Sequence, residues 1–422
     1  MNTKQIIGIV IVLIAIIATV VFISTNRQQS QQPAATSSGQ AAPPQTSTSQ
    51  TSASGKAIYI IYDIGGRGDL SFNDMAYLGA SEAARDFGLQ LVQLQSRSQN
   101  DYLPNLQTAA TSGKAALVVA VGFLMADAVA QASAQYPNVH FAIIDAVVPN
   151  RSNVLSITFR ENEGSALVGA LAALTAYYYN CTKVGIVLGM DIPVLWKFEI
   201  GYAYGVRWAQ QYIKQKFGKD VNFKIYEIYT GSFNDPAKGK QAAQVMLSRG
   251  VCVIYQAAGA TGLGVFQAVV EAAKAQGRSM GPPFAIGVDS DQDWIEPGFI
   301  LASMMKRVDR AVYMAAQMAV NGTFRGGDLS LGLKEGGVGV STLNDLQQFI
   351  QLGVEEGVIT QSQAQNITKI VAQMRSSIPS WIWDAVDTLK QEILSGQVVV
   401  PLPATQQEVQ KYRAELGLIT AG

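Results

Sequence analysis

The sequence predicts an α/β protein in which two doubly wound parallel-sheet lobes are joined by a hinge, behind an N-terminal transmembrane helix. From residue 57 to about 320, short apolar runs alternate with longer segments of helical period, as in a parallel sheet with helices on both faces. The roughly 365 residues behind the leading segment exceed one ordinary hydrophobic core, which indicates two lobes. Within the leading segment, the stretch from Ile6 to Ile23 is strongly apolar.

Residues 1–23 are predicted to form an uncleaved, single-pass membrane anchor. The stretch from Ile6 to Ile23 carries no charge and approaches the roughly 20 apolar residues that span a bilayer core. It is longer than the apolar part of a secretory signal and has no small-x-small cleavage site at its end. Lys4 favours a cytoplasmic N-terminus, which makes the folded part extracellular. The first cysteine is Cys181, so we do not expect a lipid anchor.

Residues 24–55 are predicted to be a disordered linker. Gln, Ser, Thr, Pro and Ala dominate this segment, and such side chains bury too little apolar surface to offset the entropy lost on ordering. A flexible chain of this length spans on the order of 30 Å. We therefore expect it to hold the folded part clear of the membrane.

The first lobe is predicted to span residues 56–160 and to be completed by about 306–330. Its helices are expected to begin near Phe72, Asp101 and Met125. Its strands are expected at Ala57–Tyr62, Leu89–Gln95, Ala115–Val121, His140–Asp145 and Val154–Phe159.

The second lobe is predicted to span residues 161–305 and to be completed by about 331–340. A long Ala/Leu-rich helix opens it, and a ligand is expected in the cleft at the carboxyl ends of the strands of both lobes. The remaining residues, 341–422, read as a helical extension whose Trp381 and Trp383 either pack on a lobe or form a partner patch. Strands are expected at Val184–Leu188, Phe223–Ile228, Val251–Gln256, Phe284–Val288 and Ile300–Met304.

Composition argues against several function classes. Lys plus Arg and Asp plus Glu number 31 each, so charge gives no reason to expect a nucleic-acid partner. The sequence has one histidine, His140, and no evident nucleophile–base pair or metal cluster, so we expect no catalysis, metal or cofactor. Cys181 and Cys252 fall near strands that neighbour one another in a 2-1-3 order, so they form either a disulfide or two buried thiols.

The turn after the first strand superficially suggests a dinucleotide-binding loop. Gly66 and Gly68 match the first two glycines of the G-x-G-x-x-G pattern, but Ser71 stands at the third position. The carboxylate of Asp69 would also face the pyrophosphate, and two like charges repel. The sequence therefore argues against a phosphate site at this turn.

Several motifs that follow one another along the chain resemble the basic membrane protein family. These are nucleoside-binding receptors of ABC importers with the type I periplasmic binding fold. The resemblance covers roughly residues 56 to 340. No single motif is specific, but their order along the chain makes the set strong. The motifs are GDLSFN at 68–73, FAIID at 141–145, GMDIP at 189–193, FEIGY at 198–202, GSFNDPAKG at 231–239, AAGATGLGVF at 257–266, GVDSDQ at 287–292 and MKRVD at 305–309.

The resemblance implies that a nucleobase is held between two aromatic rings, those of Phe72 from the first lobe and Phe233 from the second. Each stacking contact is worth on the order of 1–3 kcal/mol, and only a closed cleft makes both contacts. For each ring, packing in the core is the alternative. The resemblance favours a purine nucleoside as the ligand.

Polar residues are assigned by the same resemblance. Asp63 and Asn73 match family positions near the base edge, where a carboxylate accepts hydrogen bonds and an amide both donates and accepts. Asp145 and Asp289 match carboxylates that bind ligand hydroxyls and base polar atoms, with Asp289 expected on the ribose diol. Lys306 matches the cleft lysine, which binds a sugar oxygen, neutralises an aspartate or forms a hinge salt bridge.

A tight strand-to-helix turn and one wall complete the predicted site. At Gly259 and Thr261 the backbone and a hydroxyl are expected to approach the ligand. Met190 and Trp196 are expected to line the same wall. Ala260 departs from the family, which often has glycine or a polar residue there, and this bears on specificity.

The sequence thus predicts an extracytoplasmic receptor that captures a nucleoside by closure of two lobes and delivers it to an ABC permease and its ATPase. Two alternatives from other classes stay open. One is a membrane-tethered sensor with the same fold, which signals to a partner. The other is a nucleoside hydrolase that uses Asp63, Asp69 and Asp145.

Overall fold

A computed structural model describes residues 55–355 and 359–421. The predicted anchor, 1–23, and the predicted linker up to residue 54 lie outside these ranges. Within them, no helix combines the length and the apolar character needed to cross a bilayer.

The first sheet has six strands, all parallel, in the order β11-β5-β4-β3-β1-β2. Helices cover both of its faces. We call this sheet and its helices the first lobe. Its strands are β1 (Ala57–Tyr62), β2 (Gln90–Gln95), β3 (Ala115–Val121), β4 (Phe141–Ile144), β5 (Val154–Phe159) and β11 (Gly327–Leu331), and its helices are α1 (Phe72–Phe87), α2 (Tyr102–Thr111), α3 (Ala126–Gln135) and α8 (Val308–Val320).

The second sheet has seven strands in the order β12-β10-β9-β8-β6-β7-β13. Only β12 runs antiparallel, against β10. This sheet and its helices are called the second lobe. Its strands are β6 (Lys183–Leu188), β7 (Lys224–Tyr229), β8 (Val253–Ala257), β9 (Phe284–Asp289), β10 (Ile300–Lys306), β12 (Val338–Val340) and β13 (Leu418–Thr420), and its helices are α4 (Glu161–Tyr178), α5 (Pro193–Phe217), α6 (Pro236–Ser248) and α7 (Thr261–Ala275).

The predicted strands coincide with β1 to β10 with end shifts of no more than two residues. The agreement follows from sequence, because strands buried on both faces are short continuous apolar runs. The chain passes between the two sheets after β5, after β10 and after β11.

Helices α4 and α5 pack closely in the core of the second lobe. Almost every residue of α4 is buried, as expected for a helix that is apolar all round. A Cβ atom on Gly205 of α5 would lie 1.9 Å from the carbonyl oxygen of Ala166. The two backbones can approach this closely only because that side chain is absent.

The tail combines helices with one strand. Helices α9 (Leu343–Glu355), α10 (Gln361–Ser377), α11 (Ser380–Leu394) and α12 (Gln406–Leu416) lead to β13, which pairs parallel to β7. The tail was predicted as a helical extension, and the structure adds to it strand β13, which was not predicted because three residues are too few to show a strand period. The ring of Trp381 packs edge-on against Phe217 of α5, with 5.1 Å between ring centroids.

A disulfide joins Cys181 to Cys252. Cys181 lies two residues before β6 and Cys252 directly before β8, and these two strands are paired neighbours in the second sheet. The bond therefore ties together the amino-terminal ends of two adjacent strands.

Candidate ligand-binding site

A cavity of about 630 Å³, counting the part open to solvent, lies between the lobes. Four of its polar side chains stand where strands end. Asp63 follows β1 and Asp145 follows β4, while Asp289 and Lys306 are the last residues of β9 and β10. The cavity therefore lies at the carboxyl ends of both sheets, where open α/β folds bind ligands.

Eight of the eleven residues predicted to contact a ligand line this cavity. The other three, Thr261, Met190 and Trp196, do not belong to its lining. The eight are Asp63, Phe72, Asn73, Asp145, Phe233, Gly259, Asp289 and Lys306.

Thr261 has a different role from the one predicted. Its hydroxyl donates to the carbonyl of Ser232 over 3.1 Å and accepts from the backbone N–H of Asp235 over 2.9 Å. The side chain is fully buried. Thr261 therefore holds in place the loop that carries Phe233.

Trp196 lies on the side of α5 that packs against α12, and it does not line the cavity. Its ring packs with Ile200 and with Val409 of α12, and its indole N–H donates to Oδ1 of Asp191. The face of α5 that meets the cavity is set by Leu195 and other residues at helical spacing. The sequence does not say which face of a helix between two neighbours meets the cleft, so it could not separate Trp196 from the residues that line the cavity.

The two predicted stacking rings come from opposite lobes. Phe72 is the first residue of α1, and Phe233 lies in the loop between β7 and α6. Both rings are half-buried and line the cavity. A Cβ atom on Gly189 would lie 2.2 Å from Cε1 of Phe233, so the ring of Phe233 rests directly on that glycine.

Asp63 and Asn73 form one polar wall. Oδ1 of Asp63 accepts from the backbone N–H of Gly65 at 2.8 Å and from Nδ2 of Asn73 at 3.1 Å. Burial raises the pKa of Asp63. Oδ1 of Asn73 is buried and has no hydrogen-bond partner in the described part of the chain. This wall therefore offers a buried acceptor to a ligand.

Asp69 lines the cavity, but its oxygens are largely occupied. They accept from the backbone N–H groups of Ser71, Asn73 and Asp74 at 2.9–3.1 Å. These are the otherwise unpaired amides at the start of α1. Burial raises the pKa of Asp69 to about 7. Its main effect is to fix the turn that presents Phe72.

Lys306 lies within a chain of buried charges. Its Nζ atom is 2.7 Å from Oδ2 of Asp145 and 3.0 Å from Oε1 of Glu161, whose other oxygen is 3.0 Å from Nζ of Lys197. Burial opposes the charge of Lys306, but the two carboxylates outweigh it and raise the pKa of the lysine. Burial raises the pKa of Asp145. Oδ1 of Asp145 has no hydrogen-bond partner among the described residues.

Asp145 and Asp289 share an unusual backbone conformation. Their φ angles are 72° and 65°, in the left-handed region that costs free energy for residues other than glycine and is typical of functional sites. Oδ2 of Asp289 accepts from the hydroxyl of Ser71 at 2.7 Å, a contact between the lobes. Burial raises the pKa of Asp289 to about 6.

Three residues of this region were not predicted from sequence: Glu161, Lys197 and Phe198, the last of which belongs to the FEIGY motif at 198–202. Phe198 lines the cavity beside Leu195, and the spacing of three residues on a helix could have indicated it. Glu161 and Lys197 are partners only in the tertiary structure. No group of three or more His, Cys, Asp or Glu side chains between residues 55 and 421, as far as they are described, could hold a metal ion.

Two parallel-sheet lobes that each contribute an aromatic ring and carboxylates to one cavity define a clamshell solute-binding protein. A family model described as ABC transporter substrate-binding protein PnrA-like, named Bmp, matches residues 57–376. The chain belongs to this family of ABC transporter substrate-binding proteins. The resemblance inferred from the motifs is therefore confirmed.

Named relatives agree with this assignment. The chain is 40% identical over 370 residues to an uncharacterized lipoprotein of Pyrococcus abyssi, covering 87% of this chain and 89% of the relative. It is 31% identical over 356 residues to the ABC transporter nucleoside-binding protein BmpA of Lactococcus lactis, covering 81% and 88%.

A solved structure supports the fold. An ABC transporter solute-binding protein from Aeropyrum pernix is 40% identical, covers 86% of this chain and 97% of its own, and superposes with a TM-score of 0.79. The predicted α/β class with two parallel-sheet lobes is confirmed.

Proposed function

We propose that this substrate-binding protein captures a nucleoside, with a preference for purines, and delivers it to an ABC permease and its ATPase. The relative BmpA is named as nucleoside-binding, and its ligand class fits the cavity described above. The cavity is lined by apolar side chains and a smaller number of polar ones, as is typical of small-molecule sites.

The observation that carries the proposal is a pair of buried acceptors, Oδ1 of Asn73 and Oδ1 of Asp145, without hydrogen-bond partners in the described structure. An acceptor left unpaired in the interior costs about 1–3 kcal/mol. A nucleoside can satisfy both, because its ribose hydroxyls and its base N–H groups are donors. Aromatic rings from both lobes beside these acceptors suit a flat base.

Charge narrows the ligand class further. Among the residues that line the cavity, Asp63, Asp69, Asp145 and Asp289 face the single cation Lys306. That cation is already paired with Asp145. A phosphate group would meet an excess of carboxylates, so nucleosides are favoured over nucleotides.

Each polar residue then has a role in the proposed complex. Phe72 and Phe233 stack on the two faces of the base, and Asp63 with Asn73 binds the base edge. Asp289 accepts from the ribose diol. Asp145, oriented by Lys306, accepts through its free oxygen.

Gly259, whose φ angle is 56°, brings backbone close to the ligand, since any side chain there would be strained.

We further propose that residues 1–23 anchor the protein and that the linker holds its lobes outside the cell. Three Pyrococcus relatives are named lipoproteins, so tethering by a different device preserves the same location. Cell fractionation tests this. The full chain should stay in the membrane pellet after an alkaline carbonate wash, and deletion of residues 1–23 should remove it from the pellet.

Calorimetric and thermal-shift titrations test the ligand. Guanosine, adenosine and inosine should raise the melting temperature, with about 2.7 kcal/mol of stabilisation at 100 times Kd. Ribose, free bases and guanosine monophosphate should have much smaller effects. Chromatography of the same mixtures should recover the nucleoside intact, whereas steady release of free base would favour the hydrolase alternative. The proposal fails if no nucleoside stabilises the protein.

A further inference from the structure

The beginning of α5 is contacted on two opposite sides. One side carries Leu195 and Phe198, which line the cavity. The other carries Trp196 and Ile200, which pack with Val409 of α12. The wall that faces the ligand therefore rests on the C-terminal segment of the chain.

Arg413 of α12 binds this part of α5 directly. Its Nε atom lies 2.6 Å from Oε1 of Glu199, and its Nη2 atom lies 2.8 Å from Oε2. The side chain of Glu199, next to Phe198, has no exposed area. A two-pronged guanidinium contact fixes both charge and orientation, and a buried carboxylate without its cation is costly.

The same carboxylate connects Arg413 to the second wall segment. Oε2 of Glu199 accepts from the hydroxyl of Tyr229 at 2.6 Å. Tyr229 ends β7, and the chain reaches Phe233 four residues later. Strand β13 also pairs with β7. The tail therefore pairs with β7 directly and is linked through Glu199 to the last residue of that strand, from which the chain leads to the stacking ring.

A third segment of the wall meets Arg413 at Asp191. Nη2 of Arg413 lies 3.6 Å from Oδ1 of Asp191, and that oxygen accepts the indole N–H of Trp196. Asp191 directly precedes Ile192, which lines the cavity. Three segments that carry lining residues therefore converge on one guanidinium group.

We propose that residues 405–421 belong to the ligand-binding apparatus, with Arg413 as the positioning residue that fixes the wall of the second lobe. This inference rests on the proposed function, because its effect is read out in nucleoside affinity. The segment lies beyond residue 376, where the match to the family model ends. Arg413 acts through Glu199 and Asp191 and does not line the cavity itself.

Charge makes the role of Arg413 distinguishable from simple packing. Burial, together with the nearby Glu199, raises the pKa of Glu227 to about 8. Without Arg413, the two carboxyl groups would face each other with no cation beside them. Raising the pH would then drive them apart, whereas a proton shared at lower pH would hold them together. The titratable groups around Arg413 are Asp191, Glu199, Glu227 and Tyr229.

The test compares guanosine affinities of Arg413→Met, Arg413→Lys and a control, Glu392→Ala. Glu392 accepts from the indole N–H of Trp208 at 2.8 Å, so the control also breaks a contact between tail and α5. Trp208 lies about 15 Å further along the helix than Phe198. Titrations are made well below the melting temperature of each variant, between about pH 6 and 9.

We expect Arg413→Met to bind about tenfold more weakly, because a displaced wall misplaces its contacts. The deficit should shrink as the pH falls. The affinity of Arg413→Lys should be intermediate, since lysine restores the charge but cannot make the two-pronged guanidinium contact. Glu392→Ala should bind within about twofold of wild type.

Two results would overturn the inference: nucleoside binding by Arg413→Met at wild-type affinity, or a deficit of the same size at every pH, which would indicate lost packing alone. If Arg413→Met does not fold, the guanosine affinity of Arg413→Lys is compared with that of Glu392→Ala. Weaker binding by Arg413→Lys than by Glu392→Ala supports the inference, and equal affinities overturn it. A wild-type protein that binds no nucleoside would instead refute the proposed function.

Discussion

The Nζ atom of Lys306 lies 2.7 Å from Oδ2 of Asp145, and this ion pair joins the two lobes. Asp145 follows β4 of the first sheet, and Lys306 ends β10 of the second. Their side chains are only 6% and 2% exposed. The pair leaves Oδ1 of Asp145 without a partner among the described residues, so the contact between the lobes and the proposed ligand contact use different oxygens of one carboxylate.

Replacing Phe72 by alanine should weaken nucleoside binding while leaving the fold intact. The loss of one stacking contact corresponds to about 1–3 kcal/mol of binding free energy, measured by calorimetry. The matched control is Phe87→Ala at the far end of α1, whose ring packs on Tyr313, 5.3 Å away between centroids. Equal affinities for Phe72→Ala and the control would contradict the stacking role.

Gly189→Ala should displace the second ring without altering any polar group. The new methyl would lie 2.2 Å from Cε1 of Phe233, so the ring must move. We expect an affinity loss of about 1 kcal/mol or more, since part of one stacking contact is lost. Gly339→Ala is the control, because nothing lies within 4 Å of its added methyl. An unchanged Kd for Gly189→Ala would refute this prediction.

Lys306→Met should destabilise the protein strongly. Asp145 and Glu161 would remain buried without their shared cation, and breaking a buried pair typically costs about 3–5 kcal/mol. Denaturant unfolding measures the change. Lys240→Met, which removes the partly exposed pair with Glu271, should cost less than about 1 kcal/mol. Similar losses in the two variants would argue against the buried charge network.

The stability of the protein should fall as the pH rises from about 4 to about 6. Burial raises the pKa of Asp289 from 3.8 to about 6, so in this window the folded state holds a proton that the unfolded chain has released. The unfolding free energy therefore decreases by about 2–3 kcal/mol. Unfolding of Asp289→Asn at several pH values should lack this part of the fall. An identical pH profile in both proteins would contradict the assignment.

Much of the site followed from the order of the elements. Asp63, Asp145 and Asp289 each stand where an apolar run ends, and the ends of parallel strands share one edge of a sheet. The motifs added Phe72 and Phe233 through resemblance to the family. Eight predicted residues line one cavity.

Other features could not be predicted from the sequence, because no local pattern encodes them. The hydroxyl of Thr261 is hydrogen-bonded to the neighbouring loop, and Trp196 packs against α12. A helix with apolar residues on more than one side gives no preference for the cavity over a packing partner. Residues 418–420 form strand β13 by pairing with the edge of the second sheet at β7.

The sequence by itself determined the bounds of β1 to β10 to within two residues, which family the chain resembles and which lobe supplies each ring, because period and motif are local properties. Only the tertiary structure decided that Lys306 pairs with Asp145, that Arg413 pairs with Glu199 and that two acceptors in the lining of the cavity, Oδ1 of Asn73 and Oδ1 of Asp145, have no partner among the described residues. Those partners lie 161 and 214 residues apart in the chain. Their distances depend on how whole elements pack, which no stretch of sequence encodes alone.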